Sequence, residues 1–274
     1  GAPPVARLVM GYHYDILANR IHQASMEAGE RWMLNDVTGK PIRAWDSRGQ
    51  AFRTTYDPLR RPTTTFLRDG PGAEVVIGRT VYGESQADPE AANLRGQTVQ
   101  RFDQAGVATA EMYDFKGNPV RSRRQLARHY TSTLDWSGAV PLEAESYTTA
   151  MRFDALARPA EWITPDGTVV LPTYNEAGLP EALSARLRGA ADSTSFVADI
   201  DYDAKGRRTR IAYGNGTTTT YDYDRQTFRL ARIRTQRGGD ALQDLSYTHD
   251  PIGNITRIRD AAQPVVFFRN RVVG

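Results

Sequence analysis

Aspartate is the candidate catalytic residue type in this 274-residue chain. It recurs directly after an aromatic residue along the chain, so its carboxylates have a regular spacing. Two carboxylates at a fixed separation, one with a raised pKa, can hydrolyse a glycosidic bond. Asp-Pro steps such as Asp57-Pro58 could be cleavage sites or belong to a self-cleaving aspartyl protease. The same side chains could instead hold turns, since Asp accepts backbone N–H groups two residues further on. The regular recurrence favours the turn role, and we predict no acid–base pair.

Other catalytic groups are sparse. His13, His22, His129 and His249 fall at unrelated spacings, without the paired spacing of a metal site. The chain has no Cys, which excludes thiol nucleophiles, thiolate metal sites and disulfides. It also lacks a Gly-x-Ser-x-Gly motif and a phosphate-binding glycine loop. The sequence therefore predicts no catalytic residue, no metal, no cofactor and no enzyme.

A short pattern, aromatic-Asp-x-x-Gly followed by Asn, Arg or Lys, repeats along the whole chain. It occurs at Tyr14-Asp15, Asn35-Asp36, Trp45-Asp46, Tyr56-Asp57, Phe102-Asp103, Tyr113-Asp114 with Gly117, Leu134-Asp135, Phe153-Asp154, Tyr174-Asn175 with Gly178, Tyr202-Asp203 with Gly206, Tyr223-Asp224, and His249-Asp250 with Gly253. First positions such as Tyr202 and Tyr223 are 21 residues apart, and Trp45 and Tyr56 are 11 apart. Half a unit holds one strand of about six residues and a turn of about four.

The residue types of the repeat suit antiparallel strands joined by turns. Asp forms the turn, Gly supplies a positive φ, and the aromatic residue closes the preceding strand. Where Arg60 or Thr227 replaces Gly, we expect another turn type or strain. Gly214-Asn215-Gly216 predicts a hairpin. The low mean hydropathy of −0.54 and the 13 tyrosines also suit half-buried strands, so the predicted fold is all-β and antiparallel.

Two stretches interrupt this rhythm. Asp88, Pro89 and Gly96 carry the signals of a helix cap, first turn and end, which predict a short helical insertion over about 88–95. The Gly-, Ala- and Ser-rich stretch 186–195 predicts an irregular loop. No change in composition marks a domain boundary, so residues 1–274 are predicted to form a single repeat region.

The repeated Tyr-Asp with Gly-Asn or Gly-Arg resembles the YD repeat of Rhs proteins, teneurins and the B and C components of insecticidal toxin (Tc) complexes. Residues 11–20, 30–41 and 267–273 make the chain most like bacterial Rhs proteins related to the Tc B component. The resemblance implies a β-sheet ribbon that spirals as part of an Rhs-type shell and encloses a C-terminal toxic polypeptide after self-cleavage. The stretch that closes the Rhs core and a variable toxin tail are not visible, so no catalytic residue is carried over.

The resemblance implies a structural role in a secreted or cell-surface bacterial protein. The implied partners are the remainder of the same polypeptide and other toxin-complex subunits. The start lacks signal-peptide features and the end lies in a strand-like run over 265–273, so we expect a fragment of a longer polypeptide.

The charge and hydropathy patterns bear on other partners. A net charge of +3 from 35 basic and 32 acidic residues predicts no nucleic acid, and the lack of a long apolar run predicts no membrane insertion. Almost all of the positive charge is arginine, and we expect these side chains to pair with Asp, Glu and Tyr across strands. An alternative function is surface binding of acidic glycans through Arg and Tyr on strand faces, at 121–130 or 207–213.

Overall fold

The computed structural model describes residues 9–263, and the backbone of 266–268 and 271–273. The start of the chain, residues 1–8, and residues 264, 265, 269, 270 and 274 lie outside the described residues. Almost all regular structure is β-strand, and every paired strand is antiparallel, which confirms the predicted fold class. The chain forms two compact units, residues 1–149 and 150–274. The division falls inside the long strand β11, so the single repeat region stays a prediction.

The first unit is a succession of hairpins. Its strands are β1 (Met10–Tyr14), β2 (Arg20–Ser25), β3 (Gly29–Asn35), β4 (Pro41–Asp46), β5 (Gln50–Tyr56), β6 (Pro62–Asp69), β7 (Val75–Tyr82), β8 (Thr98–Asp103), β9 (Gly106–Tyr113) and β10 (Pro119–Ala127), followed by the start of β11 (Leu142–Phe153). From β1 to β10 each strand pairs with the next one along the chain.

The second unit repeats this arrangement from the end of β11 onwards. Its further strands are β12 (Pro159–Ile163), β13 (Val169–Tyr174), β14 (Pro180–Arg186), β15 (Thr194–Tyr202), β16 (Arg208–Tyr213), β17 (Thr217–Tyr223), β18 (Leu230–Arg237), β19 (Asp240–His249) and β20 (Ile255–Asp260), each paired with its predecessor. The strand-like run over 265–273 contains two short strands paired with each other, β21 (Val266–Phe268) and β22 (Arg271–Val273).

Successive hairpin turns fall alternately on two edges of the sheet, since each strand reverses direction. We define the tyrosine edge as the one with turns 15–19, 36–40, 57–61 and 114–118 in the first unit, and 154–158, 175–179, 203–207, 224–229 and 250–254 in the second. The 21-residue unit is therefore one complete hairpin. The half-step of 11 residues places Trp45-Asp46 and Phe102-Asp103 at the opposite edge.

The register shifts by one residue at every turn of the tyrosine edge, which marks a β-bulge. At Tyr56 the residue opposite is Pro62, and at Tyr174 it is Pro180. Proline cannot donate to a strand ladder, and the bulge places it where a ladder bond is interrupted. The sheet can therefore begin several strands with proline.

The helix expected over 88–95 does not form. The structure has a 3-10 helix at Gly83–Ser85, and turns follow it. Asp88 and Asn93 have φ angles of 49° and 53°, in the left-handed region that a right-handed helix excludes. The amide of Asn93 donates to Glu90 O, and that of Leu94 donates to Pro89 O, five residues back. The cap and proline signals therefore mark a compact turn insertion at the tyrosine edge.

The hydrophobic core is thin and lies under irregular segments. In the first unit, the loop over 128–141 buries Leu134 and Trp136 against Val107 and Ala127. The turn insertion buries Leu94 against Val99 and Tyr113. In the second unit, β14 and β15 are joined by a loop that consists of residues 187–193. Within the described residues, no helix has the length and apolar content needed to cross a membrane.

Candidate functional site: the repeat turns

The turn after Tyr202 illustrates what the repeated aspartate does. Asp203 Oδ1 accepts hydrogen bonds from the amides of Lys205 and Arg207, at 2.9 and 3.0 Å. The backbone closes the same turn, because Asp203 N donates to Arg207 O and Gly206 N donates to Asp203 O. Gly206 has a φ of 73°. Asp203 therefore satisfies backbone donors that the strand ladder leaves free.

The same side-chain bond, to the amide four residues on, recurs at other turns. It is made by Asp15, Asp36, Asp46, Asp57, Asp114, Asp154, Asn175 and Asp250. Asn175 makes it with a neutral amide oxygen, at 3.0 Å to Leu179 N. The bond to the amide four residues on therefore requires only an oxygen acceptor. The negative charge of the aspartates is not needed for it.

Where glycine is replaced, the turns adapt in two ways. Arg60 and Ala157 adopt φ angles of 61° and 59° and keep the backbone pattern of the glycine turns. They accept the strain of a left-handed residue, about 1–2 kcal/mol. After Asp224 the turn is one residue longer, and Phe228, with φ 59°, occupies the left-handed position that Thr227 does not take. Gly117, Gly178 and Gly253 have positive φ as the pattern predicts.

Two predicted repeat positions act differently. Asp103 accepts from Ala105 N in a tight turn to Gly106, and it pairs with Arg124. Asp135 lies in the 128–141 loop, where no strand precedes it, and it accepts from the amides of Ser137 and Val76. The Leu134-Asp135 match therefore anchors a loop to β7 instead of closing a hairpin.

In three turns, the negative charge of the aspartate pairs with an arginine four residues further on. The Nε of Arg61, Arg158 and Arg207 donates to Oδ2 of Asp57, Asp154 and Asp203, in each case at 2.7 Å. The same three guanidinium groups lie over the rings of Tyr82, Tyr174 and Tyr223, at 3.9, 4.3 and 4.2 Å. Each of these tyrosines precedes the next connection on the same edge, so Asp, Arg and Tyr link one turn to the next.

The tyrosine hydroxyls complete this link. A tyrosine that ends one strand donates to the carbonyl of the first residue in the strand before it. The pairs are Tyr56 to Pro41, Tyr82 to Pro62, Tyr113 to Thr98, Tyr174 to Pro159, Tyr202 to Pro180 and Tyr223 to Arg208. Burial raises the pKa of Tyr113 and Tyr202, which keeps their hydroxyls as donors. The sequence predicted Arg–Asp and Arg–Tyr pairs between strands without naming the partners, whereas the tyrosine hydroxyl bond was not predicted, although the tyrosines recur at fixed offsets.

Comparison with known proteins finds relatives and solved structures that match most of the chain. No family model matches the chain. The toxin subunits YenC2 and YenC1 of Yersinia entomophaga are 30% and 29% identical to it, over 96% and 90% of this chain. The solved structure of the Photorhabdus luminescens Tc holotoxin pore matches 97% of the chain with a TM-score of 0.83 and 27% identity. The crystal structure of TcdB2-TccC3 matches equally well, at 26% identity.

The chain is a YD-repeat region of the Rhs type, related to the Tc toxin subunits. It spans 30% of the length of YenC2 and 27% of YenC1. In the solved structures it corresponds to about 13% of the matching chain. The likeness therefore concerns one stretch of much longer polypeptides.

The carboxylates of the YD repeat are held in their charged form. Hydrogen bonds from Arg207 lower the pKa of Asp203, and bonds from Arg158 lower that of Asp154. A side-chain bond from Asn254 lowers the pKa of Asp250, and one from Asn118 lowers that of Asp114. Among the described residues, wherever the pKa of an Asp or Glu departs clearly from its ordinary value, it is lowered. These groups are suited to accept hydrogen bonds and not to donate a proton near neutral pH.

Two of the four histidines of this YD-repeat region, His13 and His22, lie in an aromatic row. His13 and His22 are cross-strand partners with ring centroids 5.0 Å apart, and His22 stacks on Trp32. The Nε2 of His22 is 3.5 Å from Glu30 Oε2. His249 ends β19 at a repeat position. Within the described residues, no group of three or more His, Cys, Asp or Glu side chains is arranged to hold a metal.

The arginines named for glycan binding are mostly engaged by acids. Arg121 and Arg123 pair with Glu111, and Arg210 pairs with Asp199 and Asp201. Arg124 pairs with Asp103, and Arg207 with Asp203. These two strand segments of the YD repeat therefore offer little unpaired charge to a ligand.

We expect the turn aspartates to make folding sensitive to acid. A lowered pKa in the folded state means that the unfolded chain, with Asp near about 3.9, binds more protons as pH falls. Stability should be fully present above about pH 5 and should fall as pH drops through and below about pH 4. The double variant Asp154→Asn, Asp203→Asn keeps the acceptor oxygens, as Asn175 does, and should show a shallower fall. Urea unfolding at a series of pH values measures this.

The matched control is Asp192→Asn, in the loop over 187–193. Asp192 accepts no hydrogen bond from the described residues. The stability of the Asp192→Asn variant should therefore depend on pH in the same way as that of the parent. Parallel curves for the double variant and the parent would contradict the role of the turn carboxylates.

Proposed function

We propose that the chain is a segment of the wall of a β-sheet shell in a toxin-type protein. The observation that carries this proposal is the match of 97% of the chain to the Tc holotoxin pore structure, with a TM-score of 0.83. The local structure supports it, because successive turns are tied by Asp, Arg and Tyr contacts along one edge. Such contacts let a sheet extend hairpin by hairpin with a thin core.

The proposed parent polypeptide is secreted or displayed at the surface of a bacterium, and its shell encloses a C-terminal toxic polypeptide released by self-cleavage. The wall segment contacts the remainder of the same polypeptide, and the shell assembles with other toxin-complex subunits. The segment itself performs no catalysis. Its aspartates serve as turn acceptors with lowered pKa values, which supports this part of the proposal.

Protease protection in the full polypeptide that carries this chain tests enclosure. A C-terminal segment held inside a shell should resist digestion under native conditions and become sensitive when urea opens the wall. The variant Gly106→Ala, which we expect to destabilise the wall, should expose the segment at lower urea than the parent does. If the C-terminal segment is digested equally fast with and without urea, enclosure is wrong.

A further inference from the structure

A cavity of about 440 Å³ opens on one face of the first unit, beside β4, β5 and β6. The strand register explains it. Trp45 lies opposite Ala51, and Ala51 lies opposite Arg68, so a methyl group stands between two large side chains. The volume falls within the range of small-molecule sites, about 300–1,000 Å³. The wall role proposed above does not require such a notch.

Three arginines line this cavity, together with a single carboxylate. Arg43 and Arg53 are directly opposite each other, an arrangement that destabilises a sheet when the charges are alike. Glu74 neutralises Arg53 through two hydrogen bonds of 3.0 and 2.5 Å. The guanidinium of Arg53 also lies 3.7 Å over the ring of Phe66. Arg53 is therefore held in place by its own partners.

Arg43 and Arg68 remain uncompensated. Both are exposed, and neither forms an ion pair or hydrogen bond with another described residue. A hydrogen bond from Arg53 lowers the pKa of Glu74, and the charges of Arg53, Arg43 and Arg68 add to that effect. The positive charges of all three arginines therefore converge on this cavity, where Glu74 is the one acidic side chain in the lining. Guanidinium groups bind carboxylate and sulfate in a bidentate manner, so the cavity favours an anion.

One wall of the cavity is aromatic. The side chain of Trp45 is 36% exposed and lies opposite Trp32 in the adjacent strand. An exposed indole ring buries a large apolar area at small entropic cost, and the C–H face of a sugar ring offers a flat surface of matching size. Free inorganic ions have no such surface.

We infer that this cavity binds an acidic saccharide residue, whose carboxylate or sulfate is held by Arg43 and Arg68 while its ring packs on Trp45. Arg53 and Glu74 position the site. The inference goes beyond the wall role and does not depend on it, since a wall segment can fold and assemble with the cavity empty.

Calorimetric titration of the 274-residue chain tests the inference, with a heparin-derived tetrasaccharide, sodium sulfate and neutral maltotetraose as probes. The acidic tetrasaccharide should bind saturably and more weakly as salt rises. Arg43→Gln and Arg68→Gln should each weaken it about tenfold, the effect of losing a charge-assisted hydrogen bond. Trp45→Leu should weaken the tetrasaccharide and leave the response to sulfate unchanged.

The matched control is Arg31→Gln. Arg31 is also exposed on a strand of the first unit, but it neighbours Trp32 in sequence and so lies on the opposite face of the sheet. It should leave binding within about twofold of the parent. Equal weakening by Arg31→Gln would show attraction to overall charge and overturn the site. Equal affinity for maltotetraose or for sulfate alone would overturn the acidic saccharide.

Discussion

Replacing Trp136 with alanine should destabilise the first unit by about 3–5 kcal/mol, the cost of removing a large aromatic side chain from a core. Trp136 is 5% exposed and packs with Val107, Ala127 and Leu134. Its Nε1 donates to Asp103 O at 3.0 Å, and its backbone amide donates to Val76 O. The loss would leave a cavity and remove the Nε1 bond to Asp103 O in a unit whose core is small. Urea unfolding followed by circular dichroism measures it.

The control for Trp136→Ala is Tyr130→Ala in the same loop. Tyr130 is 82% exposed, so its removal should change stability by no more than about 0.5 kcal/mol. Trp136→Phe should fall between the parent and the alanine variant, because the ring is retained and the Nε1 bond is lost. A change below about 1 kcal/mol for Trp136→Ala would show that the 128–141 loop does not hold this core together.

Gly106→Ala should cost more than about 3 kcal/mol, because this glycine combines a positive φ with a close approach of the neighbouring backbone. Gly106 has a φ of 133°, and a Cβ there would lie 2.2 Å from Gln125 O and 2.8 Å from Ala127 N. Both atoms belong to the backbone of the neighbouring strand, so neither can move aside without breaking the β9–β10 pairing. Thermal and urea unfolding of the variant provide the measurement.

Substitutions at two other glycines distinguish backbone strain from steric clash as causes of the loss. Gly49 has a φ of 85° but open space around it, so Gly49→Ala should cost about 1–2 kcal/mol from backbone strain alone. Gly138 has neither a positive φ nor a neighbour within 4 Å, so Gly138→Ala should be close to neutral. Similar losses in Gly106→Ala and Gly49→Ala would mean that the strand beside Gly106 can yield.

The strands and turns were predictable because their determinants are local. Asp203 and Gly206 lie within one turn, and their spacing alone specifies the hydrogen bonds. The same holds for Asp57 and Arg61, although the repeat pattern did not specify the bond from the arginine side chain to the aspartate. A repeated local pattern therefore predicts the fold class and the pairing of neighbouring strands.

The partners that the sequence left unspecified depend on contacts between turns. Arg158 meets Tyr174, and Tyr174 meets Pro159, only after the chain has formed a full hairpin. The turn at 164–168 was also missed, because Asp166 stands two residues after the start of the turn and bonds Thr168 N. The Pro-Asp-Gly sequence there was the available signal.

The errors at irregular segments have one cause. Asp88, Pro89 and Gly96 carry helix signals, but the segment must bring Leu94 onto Val99 and the amide of Tyr113 onto Ala92 O. Leu134-Asp135 matches the repeat but is placed by the packing of Trp136. In both cases tertiary contacts outweigh the local preference.

The tyrosine hydroxyl bond to the start of the preceding strand has a consequence for how such a protein can grow. Each hairpin carries a donor for the hairpin before it and an acceptor for the one after it. Duplication of a 21-residue segment would therefore insert a hairpin whose bonds are already complementary to both neighbours. Lengthening by whole units requires no new interior to be packed, which makes tandem duplication a short evolutionary route to a longer sheet.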